Sequence, residues 1–250
     1  IIINPLKNPL LDKYKYFCAT TLVFFFILFL SDKLKIKINN VKSKYLFFAA
    51  IATICDQMPL RNINKKIVKI GLGDFNLSKF KNLSKIINTK KKIRSTDISF
   101  SLGPIINSAG RLGHSNLPLS LLVEKKNENI EKISKKLIVL NEKRKINQTE
   151  IFNLLQIKLN EKKSGIIFMF KRNINPGLMG IIAANFVELY NKPSFILTNS
   201  GNFIKCSSRS IFGFDIGKIF YLALKKKIIV NGGGHSMAGG CTLKKDNLNV

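Results

Sequence analysis

Acidic residues are scarce in this chain: 14 Asp and Glu stand against 42 Lys and Arg, a formal charge of +28. Such an imbalance favours a polyanionic partner, nucleic acid ahead of an anionic membrane surface. Much of the excess is Lys, accompanied by abundant Ile and Asn, a mixture that an A+T-rich genome imposes on any protein. Charge alone therefore assigns no function. Histidine is scarcer still, with His114 and His235 the only two. The four cysteines, Cys18, Cys55, Cys206 and Cys241, lie far apart and form no C-x-x-C. That usage indicates neither a zinc site nor a disulfide framework and fits a reducing cytoplasm. Long apolar runs are missing too. Phe17 to Leu30, bounded by Lys15 and Asp32, has about 14 residues, where a spanning helix needs about 20. The segment reads as a buried core helix, no membrane role is expected, and no small-residue cleavage pattern of a signal peptide follows it.

What remains is enough to fold. A hydrophobic content of 46% over 250 residues excludes a disordered chain and allows one or two domains. Ile1-Ile2-Ile3 followed by Asn4-Pro5 reads as a buried strand ending in a turn. The chain starts at Ile1 rather than Met and stops soon after Leu243, and it is read as a piece of a longer protein. Tyr45 to Leu60 is an apolar, helix-like run that meets Asp56. A bare buried carboxylate there would cost several kcal/mol, so Asp56 is either held by a helix-end hydrogen bond or is a hard-metal ligand. From Arg61 to Arg94 the chain is basic and helical in pieces, with Gly71-Leu72-Gly73 as a break.

Phe100 to His114 packs small residues, Asn107 and Arg111 between helices. Asn107 and Arg111 suit an anion; a structural loop fits the pattern equally well. Glu124 to Lys163 is the clearest helix, with Ile130, Ile133, Leu137, Leu140, Ile151, Leu154 and Leu155 at helical spacing, and its length suggests a connector between domains. An α/β rhythm follows: a strand at 165–170, a helix at 178–190, strands at 194–198 and 202–207, and a helix capped by Asp215. It ends in Gly232-Gly233-Gly234-His235-Ser236-Met237-Ala238-Gly239-Gly240. Three successive glycines let backbone N–H groups approach a phosphate and adopt positive φ, and His235 adds a donor. The alternative is a glycine-rich hairpin in which His235 is merely hydrogen-bonded. Ser207-Ser208-Arg209-Ser210 is a second phosphate-friendly segment in the same region.

In order along the chain stand L-G-P-x-x-N-x-A-G-R-L-G-H, N-P-G-x-x-G-I-I-A, S-S-R-S-I-x-G-F-D-I and G-G-G-H-x-M-A-G-G. This succession resembles the RecJ exonucleases of the DHH phosphoesterase superfamily. The resemblance implies an α/β architecture: the C-terminal part of a DHH domain at 1–118, a connector helix at 119–163 and a DHH-associated nucleic-acid-binding domain at 164–250. It implies 5′-to-3′ degradation of single-stranded DNA in recombination and repair, with Mn²⁺ or Mg²⁺ as cofactor and a metal-activated water as nucleophile. Asp56 falls on the metal-ligand position of the family's A-D-x-x-P-L pattern, here Cys55 to Leu60. Asn107, Arg111, Ser207, Arg209, Gly233, Gly234 and His235 fall on motifs that line the nucleotide-binding face. Departures accompany the matches. No Asp-His-His and no D-x-D occurs, so this piece alone is expected to be inactive. Ile105 stands where the family has Arg, Asn175 where it has His, and Gly239 where it has Ala. A non-catalytic single-strand-binding module and a DHH-family oligonucleotide phosphodiesterase are the alternative readings.

Overall fold

Helix-forming sequence dominates the first half of the chain. In the computed structural model, a 3-10 turn at Pro5–Lys7 precedes α1 (Ala19–Lys33), α2 (Asn39–Cys55), α3 (Asn62–Gly73), α4 (Lys81–Ser84) and α5 (Ser95–Asp97). A π-helical turn at Ile98–Leu102 then leads into α6 (Gly103–Arg111), α7 (Asn116–Val123) and the long α8 (Asn127–Leu159). The second half alternates as β1 (Ile167–Phe170), α9 (Pro176–Tyr190), β2 (Ser194–Ser200), β3 (Phe203–Arg209), α10 (Ile216–Lys225), β4 (Asn231–His235) and β5 (Ala238–Lys244). The structure describes residues 3–7, 14–37, 39–73, 80–87, 92–159 and 165–249. Two units separate: Ile1–Asn107 with Asn116–Ile138, and Ser108–Ser115 with Val139–Val250.

Among its described residues the first unit has helices and no strand. Phe47, Ala49 and Ala50 of α2 are buried together with Ile67 and Val68 of α3. The stretch read as a break, Gly71-Leu72-Gly73, is instead the last turn of α3. A Cβ on Gly71 would lie 2.7 Å from the Ala50 Cβ and 2.8 Å from the Leu46 carbonyl oxygen. The glycine serves close helix packing rather than a turn. Helices α1 and α2 share buried hydroxyls: Thr21 and Thr53 lie 3.3 Å apart, Thr53 donates to the Ala49 carbonyl at 2.7 Å, and the Cys18 thiol is 3.3 Å from Thr21. Each polar group thereby escapes an unpaired burial cost.

Two expectations fail here. The apolar segment read as a buried core helix is α1, and along it Val23 and Phe29 are 54% and 55% exposed while Phe24 is buried. An all-round apolar sequence does not say which face a helix turns inward. Ile3, expected in a buried strand, is 60% exposed and outside any strand, and Ile1 and Ile2 lie outside the described residues.

The second unit is a five-stranded sheet in the order β1-β2-β3-β5-β4, with β1 parallel to β2 and the other pairs antiparallel. Alternation along β2 divides its core. Ile196 joins Leu178, Ile182 and Phe186 of α9 on one face, and Phe195 and Leu197 join Ile216 and Phe220 of α10 on the other. The C-terminal end of α8 packs into the α9 layer through Leu155, flanked by Ile151 and Phe152. Helix α9 starts at Pro176 behind the N-cap Asn175, whose Oδ1 accepts from the Gly177 N–H at 2.9 Å. Asp215 caps α10 in the same way, accepting from the Lys218 N–H at 3.0 Å.

Candidate nucleic-acid interface

The glycine cluster is a hairpin. Gly232, Gly233 and Gly234 lie in β4, Gly239 and Gly240 in β5, with Ser236 and Met237 between the strands. The expected positive φ is not used there; among the described glycines it occurs at Gly113, Gly201 and Gly213. What the missing Cβ atoms permit is close approach. A side chain on Gly234 would strike the Ala238 carbonyl, and one on Gly239 would meet the Phe220 ring at 2.7 Å. Gly233 has nothing within 4 Å of the place a Cβ would take. His235 Nδ1 accepts from the Met237 N–H at 3.3 Å.

Register turns this hairpin and β3 into three lanes. Ser207 pairs with Gly240 and Gly240 with Gly233; Arg209 pairs with Ala238 and Ala238 with His235; Lys205 pairs with Thr242 and Thr242 with Asn231. Residues paired across strands, and residues two apart along a strand, leave the same face of a sheet. Lys205, Ser207 and Arg209 therefore share a face with His235 and Asn231, and beyond Ser207 the middle lane carries only glycine, at Gly240 and Gly233. Gly180 of α9 identifies that face: a Cβ there would lie 3.1 Å from Arg209 Nη2 and 3.2 Å from Ser207 Oγ. A trough of about 510 Å³ opens along it, lined by Pro176, Lys205, Ser207, Asn231, Gly233 and Gly240 among others.

Three of the four guanidinium groups of this unit are partly buried, those of Arg111, Arg144 and Arg209. Arg111, at the end of α6, donates through Nη1 to the Gly177 carbonyl at 3.1 Å, and Gly177 has no Cβ because the Arg111 backbone occupies that space. Arg209 donates to the Ser208 carbonyl at 2.8 Å. Arg144 of α8 donates to Asn141 Oδ1 and Gln148 Oε1, both at 2.8 Å. Burial holds all three guanidinium groups below the ordinary arginine range, and Arg111 is lowered further by the positive charges of Arg144 and Arg209. Among the described residues none of the three has a carboxylate within salt-bridge distance. Glu142 acts favourably on Arg144 without reaching salt-bridge distance, and partly desolvated cations of this kind are suited to an anion.

The structure thus brings Arg111, Ser207, Arg209, Gly233, Gly234 and His235 into one unit. Asp56 and Asn107 belong to the other, where both are exposed. Asp56 follows the last turn of α2, its N–H bonded to the Ala52 carbonyl at 2.9 Å, and its exposure removes the burial cost that made a partner seem obligatory. Phe100 to His114, left open between loop and anion site, is mostly the helix α6 with Asn107 on its surface. No group of three His, Cys, Asp or Glu side chains that could hold a metal ion occurs among the described residues. One exposed carboxylate does not fit a divalent-metal centre by itself. Asn175, which stands where the family has histidine, accepts a hydrogen bond and caps α9.

Arg144 and Phe212 escaped the sequence reading. Asn141, Arg144 and Gln148, spaced three and four apart, put hydrogen-bonding groups along one side of α8, and that spacing was a usable signal. Phe212, 98% exposed between β3 and α10, offered none.

Residues 162–250 match the DHHA1 domain model. Along most of its length the chain is also similar to single-stranded-DNA-specific exonucleases. It is 27% identical over 222 residues to RecJ of Bacillus subtilis, covering 84% of this chain and 28% of that protein, and 27% identical over 239 residues to RecJ of Escherichia coli, covering 88% and 40%.

The chain resembles RecJ.

The fold agrees. RecJ of Thermus thermophilus in complex with Mn²⁺ superposes with a TM-score of 0.84 at 23% identity, over 97% of this chain and 36% of that one. The complex of the same enzyme with Mg²⁺ gives 0.75 over 87% and 34%. The chain spans less than half the length of these relatives. Its mixed α/β architecture and its DHHA1 domain are those expected from the four ordered motifs. Among the described residues no helix is long and apolar enough to cross a membrane.

Proposed function

We propose that this chain is part of a metal-dependent 5′-to-3′ single-stranded-DNA exonuclease, and that its second unit holds the sugar-phosphate backbone of the strand. The observation that carries the reading is the group of three partly buried guanidiniums without carboxylate partners, Arg111, Arg144 and Arg209, in the unit that carries the glycine-floored trough. Arg111, Arg209, Ser207 and His235 hold phosphate oxygens, and the backbone N–H groups at Gly233 and Gly234 lie where no side chain keeps a strand away. Phe212 offers a ring for base stacking. Asp56 is one ligand of a Mn²⁺ or Mg²⁺ ion and is insufficient alone, so the 250-residue chain binds but does not cut.

The test is fluorescence anisotropy with a 5′-phosphorylated single strand across a salt series. Binding weakens with salt, at about 0.7 units of log–log slope per phosphate contact. Arg111→Ala and Arg209→Ala each weaken it roughly tenfold, the scale of one charge-assisted contact. Affinity unchanged in both variants would sink the proposed site. Degradation of a 5′-labelled strand in Mn²⁺ by the 250-residue chain would overturn the role given to Asp56.

A further inference from the structure

On the opposite face of the same sheet, Cys206 of β3 stands directly across from Cys241 of β5. Residues paired across antiparallel strands have Cα atoms about 4.5 to 5.5 Å apart, inside the range of about 4.4 to 6.8 Å that a disulfide spans. The two thiols shift each other's ionisation. On the side away from Cys206, Cys241 pairs with Gly232, where a Cβ would lie 2.7 Å from the Cys241 Cβ, so no side chain crowds Cys241 from that strand. Both cysteines line a cavity of about 360 Å³ whose other walls include Phe195, Phe214, Phe220 and Leu248. Such a cavity admits a small uncharged molecule and discourages a charged one.

We propose that Cys206 and Cys241 form a reversible redox site at which a peroxide converts the thiol pair into a disulfide joining β3 to β5. The roles of the two sulfurs differ. Cys206 is the more buried, and the interaction between the two thiols pushes its ionisation up while Cys241 is held below the ordinary thiol range. The Cys241 thiolate attacks one peroxide oxygen and the O–O bond breaks. A sulfenic acid forms on Cys241, and the departing hydroxide takes the thiol proton as water. The Cys206 sulfur then attacks the Cys241 sulfur; the S–O bond breaks, the S–S bond forms and a second water leaves with the Cys206 proton. Two thiols lose two electrons and two protons, and one peroxide becomes two waters. Cys18 and Cys55 have no such geometry. Cys18 is hydrogen-bonded to Thr21, and burial, with the charge of Asp56, pushes the Cys55 thiol up.

The bond would lie one residue from Ser207 on β3 and one from Gly240 on β5, locking the strands that floor the trough. The experiment treats the 250-residue chain with hydrogen peroxide, alkylates it in denaturant and maps the peptides. The expected product is a monomer lighter by two hydrogens, with a peptide joining Cys206 to Cys241, two remaining alkylatable thiols, and return to four with a dithiol reductant. Four alkylatable thiols after peroxide, or a bond between any other pair, overturns the proposal. In folded Cys206→Ser, a dimedone adduct collects on Cys241; an adduct confined to Cys18 or Cys55 overturns the assigned roles. The readout needs no nucleic acid, so its outcome is independent of the proposed exonuclease role.

Discussion

Arg144 shows how one side chain bears on both stability and recognition. Its fork is held by Asn141 and Gln148, and its charge opposes that of Arg111. A guanidinium held below its ordinary value has its charged form disfavoured by folding. Since arginine stays charged at every ordinary pH, the penalty is constant, and an anion at the site relieves it. Inorganic phosphate at a hundred times its Kd would stabilise the fold by about 2.7 kcal/mol, seen as a rise in Tm that chloride of equal ionic strength does not give. Arg144→Lys keeps the salt slope of strand binding, whereas Arg144→Gln lowers it by about 0.7. A slope unchanged in Arg144→Gln would remove Arg144 from the contact. Individual residues were also where the sequence was least legible. Arg144 sits among many lysines and glutamates, and only folding distinguishes a guanidinium held by two amides from one in water.

At the scale of elements, legibility was better and its limits have physical causes. Helix α9, strands β2 and β3 and the Asp215 cap of α10 follow from apolar alternation and capping chemistry, because those signals are local. The glycine cluster was misread in one respect. Missing Cβ atoms permit both positive φ and close approach, and the choice depends on partners such as Phe220 that lie elsewhere in the chain. Helix α1 failed for a related reason, since its apolar residues surround the axis and its neighbours decide what is covered. The α9 cap gives a direct test. Asn175→Ala should cost about 1 kcal/mol and lower Tm, while Asn175→Ser should recover most of the loss. Equal midpoints in all three proteins would mean that the cap hydrogen bond contributes nothing.

For the whole molecule, an excess of positive charge leaves few carboxylates to support stability, and several of those are in the first unit. Asp97 is held below its ordinary range by the Arg94 N–H and side chain, Glu124 by the N–H groups of Lys126 and Lys125, and Glu131 by Lys85 at 2.6 Å. A depressed carboxylate contributes stability that is present above its unfolded value, about 3.9 for Asp and 4.3 for Glu, and lost as pH falls through the folded value. Acidification below about pH 4 should therefore loosen the first unit ahead of the second, with amide hydrogen exchange in α5, α7 and the start of α8 rising first. Earlier exchange in the DHHA1 sheet would contradict this.

The lane of glycine between Ser207 and the edge of the hairpin has one more consequence. Gly240 and Gly233 carry no side chain that could tell one base edge from another. If the proposed strand lies there, that part of the surface would grip purines and pyrimidines alike, a rail along which any sequence can travel and not a reader of one.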